Sequence, residues 1–90
     1  MAYEFRWNRW NLEHIAEHGV SPAEAEALIQ TARRPFPREI AAGKYLVRGQ
    51  TVTGVYLQAI FVVDPVGTFY VIHARPLANS EKHQYRRSRK

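Results

Sequence analysis

The chain has 90 residues, of which 46% are hydrophobic, and its net charge is +5. This length supports one modest hydrophobic core but not two, so the sequence predicts a single globular domain over residues 1–90. The chain has no cysteine, which excludes disulfides and thiolate metal sites. No apolar run approaches the ~20 residues that a membrane-spanning helix needs, and the first residues do not resemble a secretory signal. We therefore expect a cytoplasmic protein with no membrane partner.

Acidic and basic residues are unevenly distributed along the chain. Residues 1–32 contain five acids and two arginines, whereas residues 75–90 contain one acid and a cluster of cations. A basic end on a globular domain favours a phosphate-rich or acidic partner, although the same tail could simply be solvated. We expect this basic tail over about residues 82–90. Its candidates for phosphate contacts are Lys82, Arg86, Arg87, Arg89 and Lys90.

Two helices are predicted in the first third of the chain. Asn8 can cap a helix over Arg9–His18, and Gly19 suits the left-handed position just beyond its end. Ser21 and the glutamate three residues later form a capping box, with proline at the first helical position. This signal predicts a second helix over Pro22–Thr31.

Strands are predicted on both sides of the helical region. Met1–Trp7 alternates loosely and suits a short edge strand, and Lys44–Arg48 is another short strand. Gly54–Val63 is apolar on both faces near its end, which predicts a central strand. Residues 64–67 have the residue types of a type I turn, and the chain should return antiparallel over Thr68–Arg75.

A short polar helix should follow the last strand. Asn79 or Ser80 can cap it, and it includes Glu81 and Tyr85. The sequence therefore predicts an α+β fold with two N-terminal helices, a three- to four-stranded antiparallel sheet and a C-terminal helix.

The pentapeptide His14–His18 matches the H-x-x-E-H pattern of one class of zinc peptidases. Two histidines four residues apart share a helix face, and Glu17 could act as a base. A catalytic site would need a third ligand, for which Glu81 is the only attractive distant carboxylate. Gly19 also ends the helix directly after the second histidine. A zinc hydrolase is therefore a remote alternative, and we expect no metal and no cofactor.

Two groups of residues resemble the BrnT-type toxin family. At the start they are Trp7, Asn11 and His18–Ser21, and at the end Val71–Arg75 and the Glu-Lys-x-x-Tyr segment Glu81–Tyr85. The resemblance implies a RelE-like fold and a ribonuclease toxin of a prokaryotic type II toxin–antitoxin system. Such a toxin inhibits translation by cutting mRNA, free or on the ribosome. It also implies a cognate DNA-binding antitoxin as partner.

Three positions depart from the family pattern. Glu17 stands where many members have lysine, and His73 stands where serine or threonine is common. Tyr56–Val63 lacks an arginine that many members place near the hairpin. These departures leave open a degenerate, non-catalytic toxin that serves as an antitoxin- or nucleic-acid-binding module.

Metal-free RNA cleavage needs a base, a cation for the phosphate and an acid for the leaving oxygen. His73 and Arg75 are two apart on a strand, and Glu81 and Tyr85 are one helical turn apart, so each pair shares a face. If the helix folds over the strand end, Arg75 would stabilise the phosphate and His73 or Glu81 would be the base. Tyr85 could stack on a base or donate a proton, and His18 could be the acid.

Each of these residues also has a structural interpretation. Arg75 and Glu81 could form a salt bridge that docks the last helix, with Tyr85 as its hydrophobic anchor. His18 could cap the first helix, where the helix dipole favours a cation. In the functional interpretation, the cations of the basic tail bind the RNA backbone in a salt-dependent manner.

Overall fold

Three helices and five strands confirm the predicted α+β class in the computed structural model, which describes residues 3–88. No helix in this range is long and apolar enough to cross a membrane. In chain order the elements are β1 (Phe5–Arg6), α1 (Arg9–Ala16), α2 (Pro22–Gln30), β2 (Arg38–Ala41), β3 (Lys44–Gln50), β4 (Tyr56–Val63), β5 (Phe69–Pro76) and α3 (Asn79–Ser88).

The five strands form one mixed sheet in the order β1-β5-β4-β3-β2. β4 is central, as predicted, and β1 is the predicted edge strand, but β1 runs parallel to β5. The prediction of three or four antiparallel strands is therefore wrong in strand number and in the orientation of β1. β2 escaped prediction because all four of its residues are exposed and show no apolar alternation.

The core lies on one face of this sheet. Val47, Ala59 and Ala74 are paired across β3, β4 and β5 and are 0–1% exposed. Ile15 of α1 and Ala25 of α2 belong to the same core cluster and are fully buried. Because side chains alternate along a strand, the neighbouring rows face the other way. We call this side the outer face, and its central rows are Arg48, Gln58 and Arg75, then Leu46, Ile60 and His73.

A β-bulge in β5 controls which residues reach the outer face. On β4, Ile60 pairs with His73 and the next residue, Phe61, pairs with Val71, so Ile72 is an extra residue. Without this bulge, Val71 and His73 would share one face because they are two apart. Instead Val71 is fully buried in the core while His73 lies on the outer face.

The first helix ends earlier than predicted. α1 stops at Ala16 rather than His18, and a tight turn closes it. The N–H of Gly19 donates to Ala16 over 3.0 Å, and the N–H of Val20 donates to Ile15 over 3.2 Å. This is the Schellman pattern, in which Gly19 takes the predicted left-handed conformation with φ of +74°. His18 consequently lies in the closing turn rather than on the helix.

The second helix and the β4–β5 turn largely follow their sequence signals. In the predicted capping box, Ser21 N–H donates to Glu24 over 2.9 Å and Glu24 N–H donates to Ser21 Oγ over 3.2 Å. α2 ends at Gln30, one residue before the predicted end. At the turn, Gly67 N–H donates to the carbonyl of Asp64 over 2.9 Å, as expected for a type I turn.

The start of β4 also differs from the prediction. β4 begins at Tyr56, two residues after the predicted Gly54. Thr51–Val55 forms a closed loop instead, in which Thr51 N–H donates to the Val55 carbonyl over 2.8 Å. Val55 is 44% exposed, because it lies in this loop rather than in the predicted strand.

The cap of α3 is not the predicted residue. The first helical hydrogen bond runs from Lys82 N–H to the carbonyl of Ala78, so Ala78 occupies the cap position and Asn79 and Ser80 are already helical. Alanine has no side-chain acceptor, but its own N–H donates to Glu81 Oε1 over 2.8 Å. One half of a capping box is therefore present, and Glu81 supplies it.

Candidate active site

Arg75 and Glu81 form a double hydrogen bond between β5 and α3. Arg75 Nη1 donates to Glu81 Oε1 over 2.8 Å, and Nη2 donates to Oε2 over 2.7 Å. These bonds, together with the Ala78 N–H, lower the pKa of Glu81 to about 2 and raise the pKa of Arg75. Glu81 is thus ionised at neutral pH with both oxygens occupied, which suits a structural carboxylate better than a general base. The structure brings both predicted residues together.

Arg48 is a third member of this cluster, and our sequence reasoning missed it. Its side chain is 17% exposed, and Nη2 lies 3.5 Å from Glu81 Oε2. Nη1 donates to Gln84 over 3.2 Å, and Nε donates to Gln58 Oε1 over 3.1 Å. The cluster therefore joins strands β3, β4 and β5 to α3 through charged hydrogen bonds.

Gln58 was also missed, although the sequence contains a signal for it. It is the one amide in the otherwise apolar and aromatic strand β4, and it is 6% exposed. A buried polar side chain in a central strand needs hydrogen-bond partners. Its hydrogen-bond partners lie on both neighbouring strands, Arg48 on β3 and His73 on β5.

His73 is held by Gln58 in one tautomer. Gln58 Nε2 lies 3.4 Å from His73 Nε2. Arg48 can only donate, so the Gln58 oxygen must face Arg48 and the amide nitrogen must face His73. His73 Nε2 is then the acceptor, and its proton resides on Nδ1.

The pKa of His73 is lowered from its ordinary value. Burial is the main cause, followed by the positive charges of Arg75, His18 and His14, and Glu81 opposes them in part. His73 is therefore neutral at pH 7, as a general base must be before it accepts a proton.

His18, the candidate acid, lies beside His73. The two ring centroids are 6.0 Å apart, with planes at 62°. His18 is exposed because it stands in the turn after α1. The structure therefore unites His18, His73 and Arg75 at one edge of the outer face, and Glu81 holds Arg75 in place there.

Tyr85 lies apart from these residues. It is 6% exposed and belongs to the core, where its ring is 6.2 Å from Phe36 and 6.0 Å from Tyr56. Tyr85 also lines a cavity of about 340 Å³ with Arg33 and Arg48. An RNA base lying on the sheet could not stack on this buried ring, so the geometry supports Tyr85 as the anchor of α3.

Two cations of the basic tail lie at the end of the sheet that carries Arg75. Lys82 Nζ is 5.8 Å and Arg86 Cζ is 5.3 Å from the centre of the Tyr56 ring, which cation–π attraction favours. Arg87 is exposed. The remaining predicted RNA-binding residues, Arg89 and Lys90, lie outside the described residues.

The residues of the zinc hypothesis do not form a metal site. α1 ends before Glu17, and His18 stands in a turn rather than one regular helical turn after His14. Within residues 3–88, no three His, Asp or Glu side chains are arranged to hold a metal ion. The zinc interpretation therefore lacks its third ligand.

The outer face thus carries two histidines and two arginines within one hydrogen-bonded and electrostatic network. Histidine can transfer protons near neutral pH, and arginine binds phosphate oxygens through paired donors. Comparisons with protein-family models, with curated proteins and with solved structures found no match for this chain.

Proposed function

We propose that this protein is a metal-independent endoribonuclease. The observation that carries the proposal is the pair His18 and His73, 6.0 Å apart and beside Arg75 on the outer face. Two histidines at this separation can act on opposite sides of one phosphate, and the adjacent guanidinium can stabilise the charge that develops on it.

The proposed reaction assigns one proton transfer to each histidine. Neutral His73 accepts the proton of the 2′-hydroxyl, which replaces Gln58 as the hydrogen-bond donor to Nε2. The 2′-oxygen forms a bond to phosphorus while the bond from phosphorus to the 5′-oxygen breaks. Protonated His18 donates its proton to that leaving oxygen. The products are a 2′,3′-cyclic phosphate and a 5′-hydroxyl, and no metal ion takes part.

Arg48 and Arg75 are the groups that would bind the scissile phosphate. They share one carboxylate, Glu81, so this trio keeps a net charge of +1. Glu81 fixes both guanidinium groups before substrate arrives, which reduces the entropy that binding must overcome.

The resemblance to BrnT-type toxins supports a specific biological role. In that role the protein cuts mRNA in the cytoplasm of a prokaryotic cell, free or on the ribosome, and inhibits translation. A cognate DNA-binding antitoxin would neutralise it. The basic tail with Lys82, Arg86 and Arg87 would add salt-dependent contacts to the RNA backbone.

A paired growth and cleavage assay tests the function. Expression of the protein alone should arrest growth, and the purified protein should cut an oligoribonucleotide in the presence of a chelator. His73→Gln should lower the cleavage rate by about 10²–10⁴-fold. His83→Gln is the matched control, because His83 is an exposed histidine of α3 outside the cluster. A folded His73→Gln variant that cleaved at the wild-type rate would refute the mechanism.

Arg75→Ala tests the phosphate contact in the same assay. It should relieve the growth arrest, provided that circular dichroism shows the variant to be folded. Full toxicity of a folded Arg75→Ala variant would remove Arg75 from the site.

A non-catalytic binding module is the second candidate. It is favoured by the double hydrogen bond that occupies Arg75, and by the exposed Glu17 next to His18, which repels phosphate. This candidate predicts RNA binding that weakens with salt but no cleavage at any pH. The two candidates therefore differ in one measurement, the appearance of cyclic-phosphate ends.

A further inference from the structure

Four planar side chains form a row along the junction of α1 and β5. The Arg6 guanidinium lies 4.0 Å from the centre of the Tyr70 ring. The Trp10 ring is 6.3 Å from Tyr70 at 21°, and His14 stacks on Trp10 at 4.3 Å and 19°. We call these residues the aromatic row. The Tyr70 and His14 rings are nearly parallel to the Trp10 ring between them in this order.

The aromatic row is open to solvent at its centre. Trp10 is 50% exposed, and His14 is also exposed. The other tryptophan of the chain, Trp7, is only partly exposed, packs against the core and donates to Glu26 over 2.7 Å. Trp7 thus has a structural role, whereas half of the Trp10 side chain is exposed to solvent. Stacking surfaces left exposed in this manner are typical of binding sites.

The row runs directly towards the histidine pair. Trp10 and His14 are one turn apart on α1, about 6 Å along its axis, and His18 lies in the turn that closes the helix. Tyr70 to His73 spans about 10 Å along β5. Trp10 adjoins Tyr70 and His18 adjoins His73, so the two paths run side by side. The row and the histidine pair are therefore the two ends of one surface.

The charges of this surface match an RNA strand. Arg6 stands at one end of the row, and His18, His73 and Arg75 lie beyond the other. Of the nearby acids, Asp64 lies 3.8 Å from Arg6 and Glu13 pairs with Arg9. Glu17, which is exposed next to His18, opposes phosphate binding at that end. Aromatic rings that alternate with cations bind single-stranded RNA, because bases stack on the rings while the cations contact the backbone.

We propose that Trp10, supported by His14 and Tyr70, is a subsite that stacks one nucleobase of single-stranded RNA and thereby places the neighbouring phosphate at His18 and His73. This inference rests on the proposed ribonuclease function and identifies its substrate as unpaired RNA. A base in a regular duplex would not reach the subsite, because both of its faces are already stacked.

Binding of an uncleavable oligonucleotide tests the subsite separately from catalysis. The probes are a short 2′-O-methyl oligoadenylate, which lacks the attacking hydroxyl, and the same backbone without bases. The wild-type protein should bind the oligoadenylate about 10-fold more tightly than the abasic probe at equal salt. Trp10→Ala should abolish this difference while leaving affinity for the abasic probe within about 2-fold.

Two variants serve as controls. Leu12→Ala removes another exposed apolar side chain of α1, 39% exposed and outside the row, and should keep the 10-fold preference. Trp7→Phe leaves Trp10 as the only indole of the chain. In that variant the oligoadenylate should quench the tryptophan fluorescence and the abasic probe should not.

The outcomes separate the subsite from the nuclease. Base-dependent binding through Trp10 without cleavage of oligoadenylate RNA would refute the nuclease and support the subsite. Cleavage with equal affinity for both probes, or with a preference that Trp10→Ala preserves, would overturn the subsite and leave the nuclease standing. Failure of the wild-type protein to bind either probe would overturn both.

Discussion

Gln58 and His73 lie side by side on the outer face with 3.4 Å between the amide Nε2 and the imidazole Nε2. Because Arg48 fixes the Gln58 oxygen, the amide presents a donor to the histidine. If His73 were protonated, its Nε2 would also carry a proton, and two hydrogen-bond donors would face each other. The amide therefore favours the neutral histidine, as do burial and the neighbouring positive charges.

Gln58→Glu should raise the pKa of His73, because a carboxylate accepts a hydrogen bond from the imidazolium and attracts its charge. Arg48 should keep the new carboxylate ionised. Titration of the His73 ring by NMR measures the effect directly. Gln58→Met, which offers no strong acceptor, is the matched control and should leave the pKa below its ordinary value. Equal His73 titrations in the two variants would contradict this account.

The pH dependence of cleavage should report the lowered pKa of His73. As pH falls, the base becomes protonated, and kcat/KM should decline with an apparent pKa below 6.5, the ordinary histidine value. An acid limb centred above 6.5 would show that another group is the base. The profile of His83→Gln should coincide with that of the wild-type protein.

Stability in acid should depend on Glu81. Its pKa falls from an ordinary value of 4.5 to about 2 on folding, so the ionised form stabilises the fold. This contribution is complete above pH 4.5 and is lost as the pH falls towards 2. Glu81→Gln should cost roughly 1–2 kcal/mol at pH 7 and flatten the decline of unfolding free energy over that window. Urea denaturation at a series of pH values measures both.

Glu13→Gln provides the comparison for Glu81. Glu13 forms an exposed ion pair with Arg9, whose side chain is 90% exposed. Loss of that pair should cost less than about 0.5 kcal/mol. Similar costs for the two substitutions would mean that the Arg75 and Ala78 contacts do not stabilise the fold.

Tyr85 should matter for stability rather than for proton transfer. Tyr85→Ala removes a ring that is 6% exposed and should cost about 3–5 kcal/mol of unfolding free energy. Tyr85→Phe keeps the ring and should cleave RNA at a rate within a few-fold of the wild type. A folded Tyr85→Phe variant with a 10²-fold lower rate would instead identify the hydroxyl as the acid.

Local sequence signals predicted much of this structure. The capping box at Ser21, the turn at Asp64 and the central position of β4 all depend on residues close in sequence, and the structure contains each of them. The convergence of Arg75 with Glu81 was predicted only on the condition that the last helix folds over the end of β5, and the two residues do meet in the structure. Caps, turns and apolar periodicity depend on residues a few positions apart, so they can be recognised in a single sequence.

Long-range pairing could not be predicted in the same manner. Nothing within the two residues of β1 indicates that they run parallel to β5. Arg48 is part of the site because the register of β3 on β4 places it opposite Gln58. Gln58 was the available signal, because a lone amide in an apolar strand requires partners across the sheet. The bulge in β5 was not predicted, because Ile72 is as apolar as Val71 before it and the segment contains no glycine.

Ile72 makes β5 one residue longer than regular pairing with β4 requires. If Ile72 were deleted, Val71 and His73 would become adjacent and would still lie on opposite faces, because neighbouring side chains alternate along a strand. Val71 would stay in the core, and His73 and Arg75 would stay on the outer face. If Ile72 were kept and the bulge were lost, one half of the strand would reverse its faces. The two faces of β5 therefore depend on how the extra residue is accommodated, and not on the presence of that residue.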